Sequence, residues 1–228
     1  RARRALTEAE DLVQAARAAG EPLAGPFRLG VIPTIAPFLL PRVVPELRHR
    51  FRKLELFLRE DLTGRLYEAL KDRRIDAALI ALPYEESGIE TVSVGPDEFF
   101  FASARDHRLA NESSVTLSDV AGEKLLLLDD GHCLRDHAVS VCAESSARSD
   151  FAATSLHTLA QMVRSGLGAT LLPRLAVEGG LTEGLDLAVI PFDPPIIGRE
   201  IGIAWRKNSA REAEARMIAE AIGELLKG

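Results

Sequence analysis

Cys133 and Cys142 are the only cysteines in 228 residues, and they stand nine positions apart. The first lies in the run Asp129-Asp130-Gly131-His132-Cys133-Leu134-Arg135-Asp136, where a strand-like stretch (124–128) meets a helix-like one (134–142). A cysteine at a helix N-terminus, beside a histidine and an arginine, is where a thiol loses its proton most easily, because the positive end of the helix and nearby cations favour the thiolate. Cys142 is close enough in sequence to pair with it, but only if the chain between them changes shape. Nine helical residues at about 1.5 Å each hold the two roughly 13 Å apart along the axis. At about 100° per residue they also face roughly opposite ways. A disulfide needs Cα atoms within about 7 Å. A whole helix and a closed bond therefore exclude each other, and oxidation must unwind 134–142 and repack Leu134, Ala138 and Val141. The pattern is that of a redox switch rather than a structural bridge.

A metal site is the competing chemistry. Cys133 and His137 sit at i, i+4 on one helix face, with His132 adjacent, and two or three such ligands can hold a metal. Cys142 faces the other way, and no second cysteine pair or carboxylate-histidine cluster accompanies them. No metal or other cofactor is expected.

The elements that must position these residues follow from composition and periodicity. The chain is long enough for one large domain or two small ones with a sizeable core. Hydrophobic residues make up 46% and charged residues 27%, ordinary for a globular protein. The net charge of −6 argues against this segment holding nucleic acid by itself. No apolar run approaches the roughly 18 residues that span a bilayer, so no membrane partner is expected. Nothing points to export, and a cytoplasmic setting is the default; there a disulfide is more often transient or redox-sensing than structural.

Residues 1–19 read as a helix, with Leu6, Ala9, Leu12, Val13 and Ala16 at helical spacing and Gly20 to end it. Arg1-Ala2-Arg3-Arg4-Ala5 looks like the middle of a helix, so the chain is read as a fragment. A proline- and glycine-bearing linker (21–26) follows. Strands are then expected at 27–32, 54–59 and 75–82, with helices at 38–51 and 62–71. A second series begins with strands at 99–103 and 124–128, helices at 134–143 and 156–165, and a short strand at 169–172. Strands at 185–190 and 200–205 and a last helix at 210–226 close the chain. Repeated strand-helix-strand units predict an α/β fold with parallel sheets covered by helices. Two halves of this kind commonly enclose a ligand cleft at the C-terminal ends of their strands.

Several segments carry a family resemblance. Gly30-Val31-Ile32-Pro33-Thr34 followed by Pro37-Phe38-Leu39-Leu40-Pro41 resembles the opening of the effector domain of LysR-type transcription regulators. So do Ala153-Thr154-Ser155-Leu156-His157-Thr158-Leu159 and Gly166-Leu167-Gly168-Ala169-Thr170-Leu171-Leu172-Pro173. The more specific run from Leu126 to Asp136, with Cys142 nine residues after Cys133, is similar to the peroxide-sensing members of that family. His137 departs from the pattern, which commonly has glutamine there. The resemblance covers nearly the whole chain, to about Trp205.

The resemblance implies two Rossmann-like α/β subdomains joined by two crossovers, the type 2 periplasmic-binding-protein-like fold. Residues 1–26 would be the end of a linker helix and a linker, and 27–228 the effector domain. Its first subdomain would take about 27–95 plus 203–228, and its second about 96–202. It implies a regulatory domain, not an enzyme: peroxide oxidises Cys133 to a sulfenic acid, and Cys142 resolves it to a disulfide. That change remodels 134–142 and the oligomer to control antioxidant genes. Thr34 and Thr63 would line the peroxide pocket, with His132, Arg135, Asp136 and Arg199 around the thiol. The implied partners are hydrogen peroxide, a second copy in a homodimer or homotetramer, and glutaredoxin or thioredoxin as reductant. Promoter DNA and RNA polymerase would be reached through the full-length protein.

Each of these residues also has a plainer reading. Thr34 and Thr63 could cap helices. His132 could be a surface histidine, and Arg135 and Arg199 could form surface ion pairs of little worth. Two rival functions stay open: an effector domain that binds a small inducer non-covalently, and a thiol peroxidase.

Overall fold

The structure is a computed structural model, and it describes residues 22–84, 86–132, 134 and 152–227. The chain divides into two compact units, Arg1–Gly95 with Glu200–Gly228 and Pro96–Arg199. It passes between them twice, inside two long strands, β4 (Ile89–Ala104) and β9 (Gly198–Arg206).

The first unit is built on β1 (Gly25–Val31), β2 (Leu54–Glu60) and β3 (Ala77–Leu82). The strand order is β2-β1-β3-β9. β1 pairs in parallel with both neighbours, and β3 pairs antiparallel with β9. β3 reads Ala-Ala-Leu-Ile-Ala-Leu and is buried at its first five positions, as a central strand covered on both faces must be. The sheet is thus mixed, not parallel as the alternating pattern predicts. β9 returns after the whole second unit, and an antiparallel strand joining a parallel set is a common feature of such sheets.

Helix α1 (Ala36–Arg50) buries Ala36, Phe38, Leu39, Val43 and Leu47. Its prolines Pro37, Pro41 and Pro45 recur every fourth residue on the exposed face, so the backbone groups they disturb lie toward water. Helix α2 (Thr63–Lys71) buries Thr63, Leu66, Tyr67, Ala69 and Leu70, a stripe at helical period. At Gly30 in β1, a side chain would come within 2.7 Å of Leu66 and 2.8 Å of Ile75; glycine there lets helix and sheet approach.

A buried polar cluster ties the start of this unit to its last helix. The Leu23 N–H donates to Glu214 at 2.8 Å, and Arg211 pairs with Glu214 and donates to the Pro26 carbonyl at 2.7 Å. Arg211 also lies over the Phe27 ring, 4.8 Å from its centroid. Asp76 accepts from the Arg28 N–H at 2.7 Å and lies 3.7 Å from Arg211.

In the second unit, β4 pairs antiparallel with β7 (Thr170–Pro173) and β8 (Leu187–Pro191). The short strands β5 (Leu127–Leu128) and β6 (Ala152–Ala153) pair in parallel. Helix α3 (Leu117–Val120) carries a capping box between Thr116 and Asp119. Helix α4 (Leu156–Arg164) buries Leu156, Leu159, Ala160 and Val163 and is capped by Ser155, whose hydroxyl accepts from the Thr158 N–H at 3.2 Å. A short helix, α5 (Arg174–Glu178), follows Pro173, and α6 (Glu212–Lys227) closes the chain in the first unit.

Candidate functional site

Thr34 and Thr63 lie in the first unit, and each follows the last residue of its strand by three positions. Those last residues, Val31 and Glu60, are partners in the parallel β1–β2 ladder. Past the ladder the chains stay side by side, with the Asp61 N–H donating to the Val31 carbonyl at 3.2 Å. The two threonines therefore leave adjacent parallel strands at their C-terminal ends, the edge where α/β sheets bind ligands. Both are buried, at 2% exposure.

The N-cap positions of α1 and α2 are held by Ile35 and Leu62, which have no side-chain oxygen; Thr34 lies before the first and Thr63 after the second. Asp61, next in line, pairs with Arg59 at 2.8 Å and accepts from the Leu62 N–H at 3.0 Å. Its partial burial favours the neutral acid. The hydrogen bonds from Arg59 and Leu62 and the charges of Arg59 and Arg65 outweigh that, and its carboxyl stays below the usual range.

In the second unit, β5 leads into a tight turn. The Asp129 N–H reaches the Ala153 carbonyl at 2.8 Å, and the Asp130 N–H reaches the Asp129 carboxylate at 2.9 Å. Gly131 takes a positive φ of 89°, a conformation that favours glycine. His132 follows, buried at 6% exposure, and Leu134 is buried as well. The surface reading of His132 is overturned. Burial pushes its pKa below the ordinary histidine value, and the Asp129 charge pulls weakly the other way, so the ring is neutral at pH 7. Cys133, Arg135, Asp136, His137 and Cys142 lie outside the described residues, as does the expected helix after Leu134.

Arg199 is no surface ion pair. Its side chain is fully buried, and its Nε and Nη2 each sit 2.9 Å from Oδ2 of Asp97, itself 2% exposed. Asp97 escapes the sequence reading because it lies 102 residues from its partner; the only local signal is a carboxylate beside the apolar run Phe99-Phe100-Phe101. Among the described residues no three His, Cys, Asp or Glu side chains gather as a metal site requires. None of the described helices is long and apolar enough to cross a membrane.

Comparison with known proteins gives the family. The LysR substrate binding domain family matches residues 20–227, and the chain belongs to that family. Its fold is accordingly the α/β, periplasmic-binding-protein-like fold. A probable hydrogen peroxide-inducible genes activator of Mycobacterium leprae is 41% identical over 231 residues, covering 99% of this chain and 73% of that protein. The DNA-binding transcriptional dual regulator OxyR of Escherichia coli K12 is 39% identical over 229 residues, covering 100% and 75%. Among solved structures, a hydrogen peroxide-bound cysteine-to-serine mutant of Corynebacterium glutamicum OxyR matches with a TM-score of 0.88 and 33% identity, over 98% of this chain and 71% of that one.

Proposed function

We propose that the chain is the regulatory domain of a hydrogen peroxide-sensing transcription regulator, with Cys133 and Cys142 as its switch. The observation that carries this reading is the likeness along 99–100% of the chain, at 41% and 39% identity, to hydrogen peroxide-inducible regulators, in a chain whose only two thiols stand nine residues apart. The Cys133 thiolate attacks one oxygen of peroxide and the O–O bond breaks. Hydroxide leaves and takes a proton to become water, and Cys133 is left as a sulfenic acid. The Cys142 thiolate then attacks that sulfur, the S–S bond forms, and the sulfenic oxygen departs as a second water. Two thiols and one peroxide thus give one disulfide and two waters.

Each residue has a part in that sequence. Thr34 and Thr63 offer hydroxyls to the peroxide oxygens. Arg135 and Arg199 hold charge near the thiolate and the departing oxygen, and Asp136 fixes the start of the switch helix or pairs with an arginine. A neutral His132 beside Cys133 is a hydrogen-bond partner rather than a cation. The domain acts as a sensor, oxidised once and reduced slowly by glutaredoxin or thioredoxin in the cytoplasm. It works as a homodimer within a homotetramer of the full-length protein, which reaches promoter DNA and RNA polymerase.

The test is a peroxide titration followed by non-reducing mass spectrometry. The wild type loses two hydrogens at near-stoichiometric peroxide, and Cys142→Ser gains one oxygen on Cys133. An unchanged mass sinks the sensor reading in favour of a non-covalent effector domain. Many turnovers with thioredoxin would make the chain a peroxidase instead.

A further inference from the structure

We infer that the edge of the first unit's sheet opposite Thr34 and Thr63 is a contact surface for the phosphate backbone of DNA; this rests on the reading of the full-length protein as one that reaches promoter DNA. In a parallel sheet every helix-to-strand turn falls on the side where the strands begin. β1 is parallel to both β2 and β3. The turn from α1 into β2 and the turn from α2 into β3 therefore come out on one edge, with the start of β1 between them. β9 runs the other way, with Ala204 opposite Ala78, so its last residue, Arg206, ends on that edge too. Arg206 is tied there, donating to the Leu70 carbonyl near the end of α2 at 3.0 Å. The first turn is fixed as well: the Gly25 N–H, at the start of β1, donates to the Lys53 carbonyl at 2.8 Å.

These ends gather cations. The first turn reads Arg48-His49-Arg50-Phe51-Arg52-Lys53, the second Lys71-Asp72-Arg73-Arg74, and β9 runs out in Arg206-Lys207. Asp72 is the one acid among them, and Arg74 pairs with it at 3.2 Å. Arg50 and Lys71 meet acids elsewhere, Glu224 and Glu86. Arg48, Arg52, Lys53, Arg74 and Lys207 are exposed. A chain of net charge −6 thus sets nine lysines and arginines against one acid along one sheet edge. Helix ends do not explain this, because Arg52, Lys53, Arg73, Arg74 and Lys207 lie beyond the last helical turns, where the dipole acts. A polyanion does explain it. With strands about 4.8 Å apart, the edge from β2 to β9 is roughly 14 Å long, and a duplex presents about eight phosphate charges over that length. Six of the nine cations are arginines, whose forked donors suit phosphate oxygens. An acidic protein is the poorer fit. Protein contacts centre on apolar anchors, and among the described residues no exposed large hydrophobic side chain falls in these stretches.

The test measures the affinity of the full-length protein for a labelled random-sequence duplex by fluorescence anisotropy at a series of KCl concentrations. R48S/R52S/K53S/K207S weakens binding on the order of tenfold and lowers the slope of log affinity against log salt by about 2–4. D72N, which removes the acid of this edge, tightens binding and steepens the slope. R105S/R108S/K124S/R164S takes the same charge from exposed positions of the second unit and changes neither. A wild type that binds no duplex overturns the reading of the protein as one that reaches DNA, and this inference with it. A wild type that binds, beside a first variant of unchanged affinity and slope, overturns the inference alone. Equal weakening by the second-unit variant does the same, since net charge and not this edge would then be at work. If the first variant keeps its DNA affinity but loses binding of poly-L-glutamate, the edge serves an acidic protein and the inference fails. Should the four serines prevent folding, D72N still decides: tighter binding supports the inference and an unchanged affinity overturns it.

Discussion

At the scale of single residues, the described candidate residues, Thr34 and Thr63 in one unit and His132 and Arg199 in the other, are buried polar groups. His132 is the clearest case. Its folded pKa lies below its ordinary value because burial disfavours the charged ring, so the unfolded chain binds the proton more readily. Stability contributed by this group is complete above about pH 6.5 and is lost as pH falls through the depressed folded value. His132→Gln removes that part of the pH dependence, measurable by urea unfolding at a series of pH values. Asp129→Asn takes away a charge that favours the imidazolium, and NMR titration of the ring then shows its midpoint falling further; a rise would contradict the assignment. Thr34→Val and Thr63→Val each keep shape and remove a hydroxyl. Each slows oxidation of Cys133 about tenfold or more while the circular dichroism spectrum is unchanged, checked by mass spectrometry after timed peroxide exposure. The sequence makes the candidate residues visible because type and spacing are local properties. Asp97 is invisible there because its meaning lies wholly in a contact 102 residues away.

Elements were legible wherever a local pattern determines them. The strand expected at 54–59 is observed at Leu54–Glu60, and the helix expected at 62–71 at Thr63–Lys71. β4 was half seen. Its apolar end, Phe99 to Ser103, reads as a strand, but its first half alternates with exposed residues and a glycine, and β9 lies beside β4 in the sheet. Helices α3 and α5, of four and five residues, are too short to show a period. Close packing between elements gives a graded prediction. Gly30→Ala presses on the side-chain ends of Leu66 and Ile75 and costs about 1–3 kcal/mol, the usual toll of overpacking. Gly168→Ala sets its methyl 2.5 Å from the Lys124 carbonyl oxygen, a backbone atom with less room to yield, and costs more. Ser155→Ala removes the α4 cap and costs about 1 kcal/mol. Chemical denaturation of the three variants checks the order, and a Gly168→Ala protein as stable as the wild type would refute it.

At the scale of the whole molecule, the two ends of the first unit are held together by charge. Arg211 and Glu214 tie Leu23 and Pro26 to the final helix across 191 and 185 residues. Arg211→Met leaves Glu214 and Asp76 without their buried cation and destabilises this unit by about 3–5 kcal/mol. Loss of the exposed Arg50–Glu224 pair costs less than about 1 kcal/mol. Trp205, the only tryptophan and fully buried in the same unit, supplies the fluorescence signal for both measurements. No local pattern announces such a tie, since its partners come from opposite ends of the sequence. The matched offsets of Thr34 and Thr63 bear on how this family can vary in length. The turn at 51–53 between α1 and β2 is itself bonded, with the Leu54 N–H donating to the Phe51 carbonyl at 3.0 Å and the Gly25 N–H to the Lys53 carbonyl at 2.8 Å, and the ladder resets its register at Leu54. An insertion of one residue between Val31 and Thr34, or between Glu60 and Thr63, has no such reset and would carry one hydroxyl away from the other. Relatives that keep both threonines should therefore keep the length of those two three-residue steps.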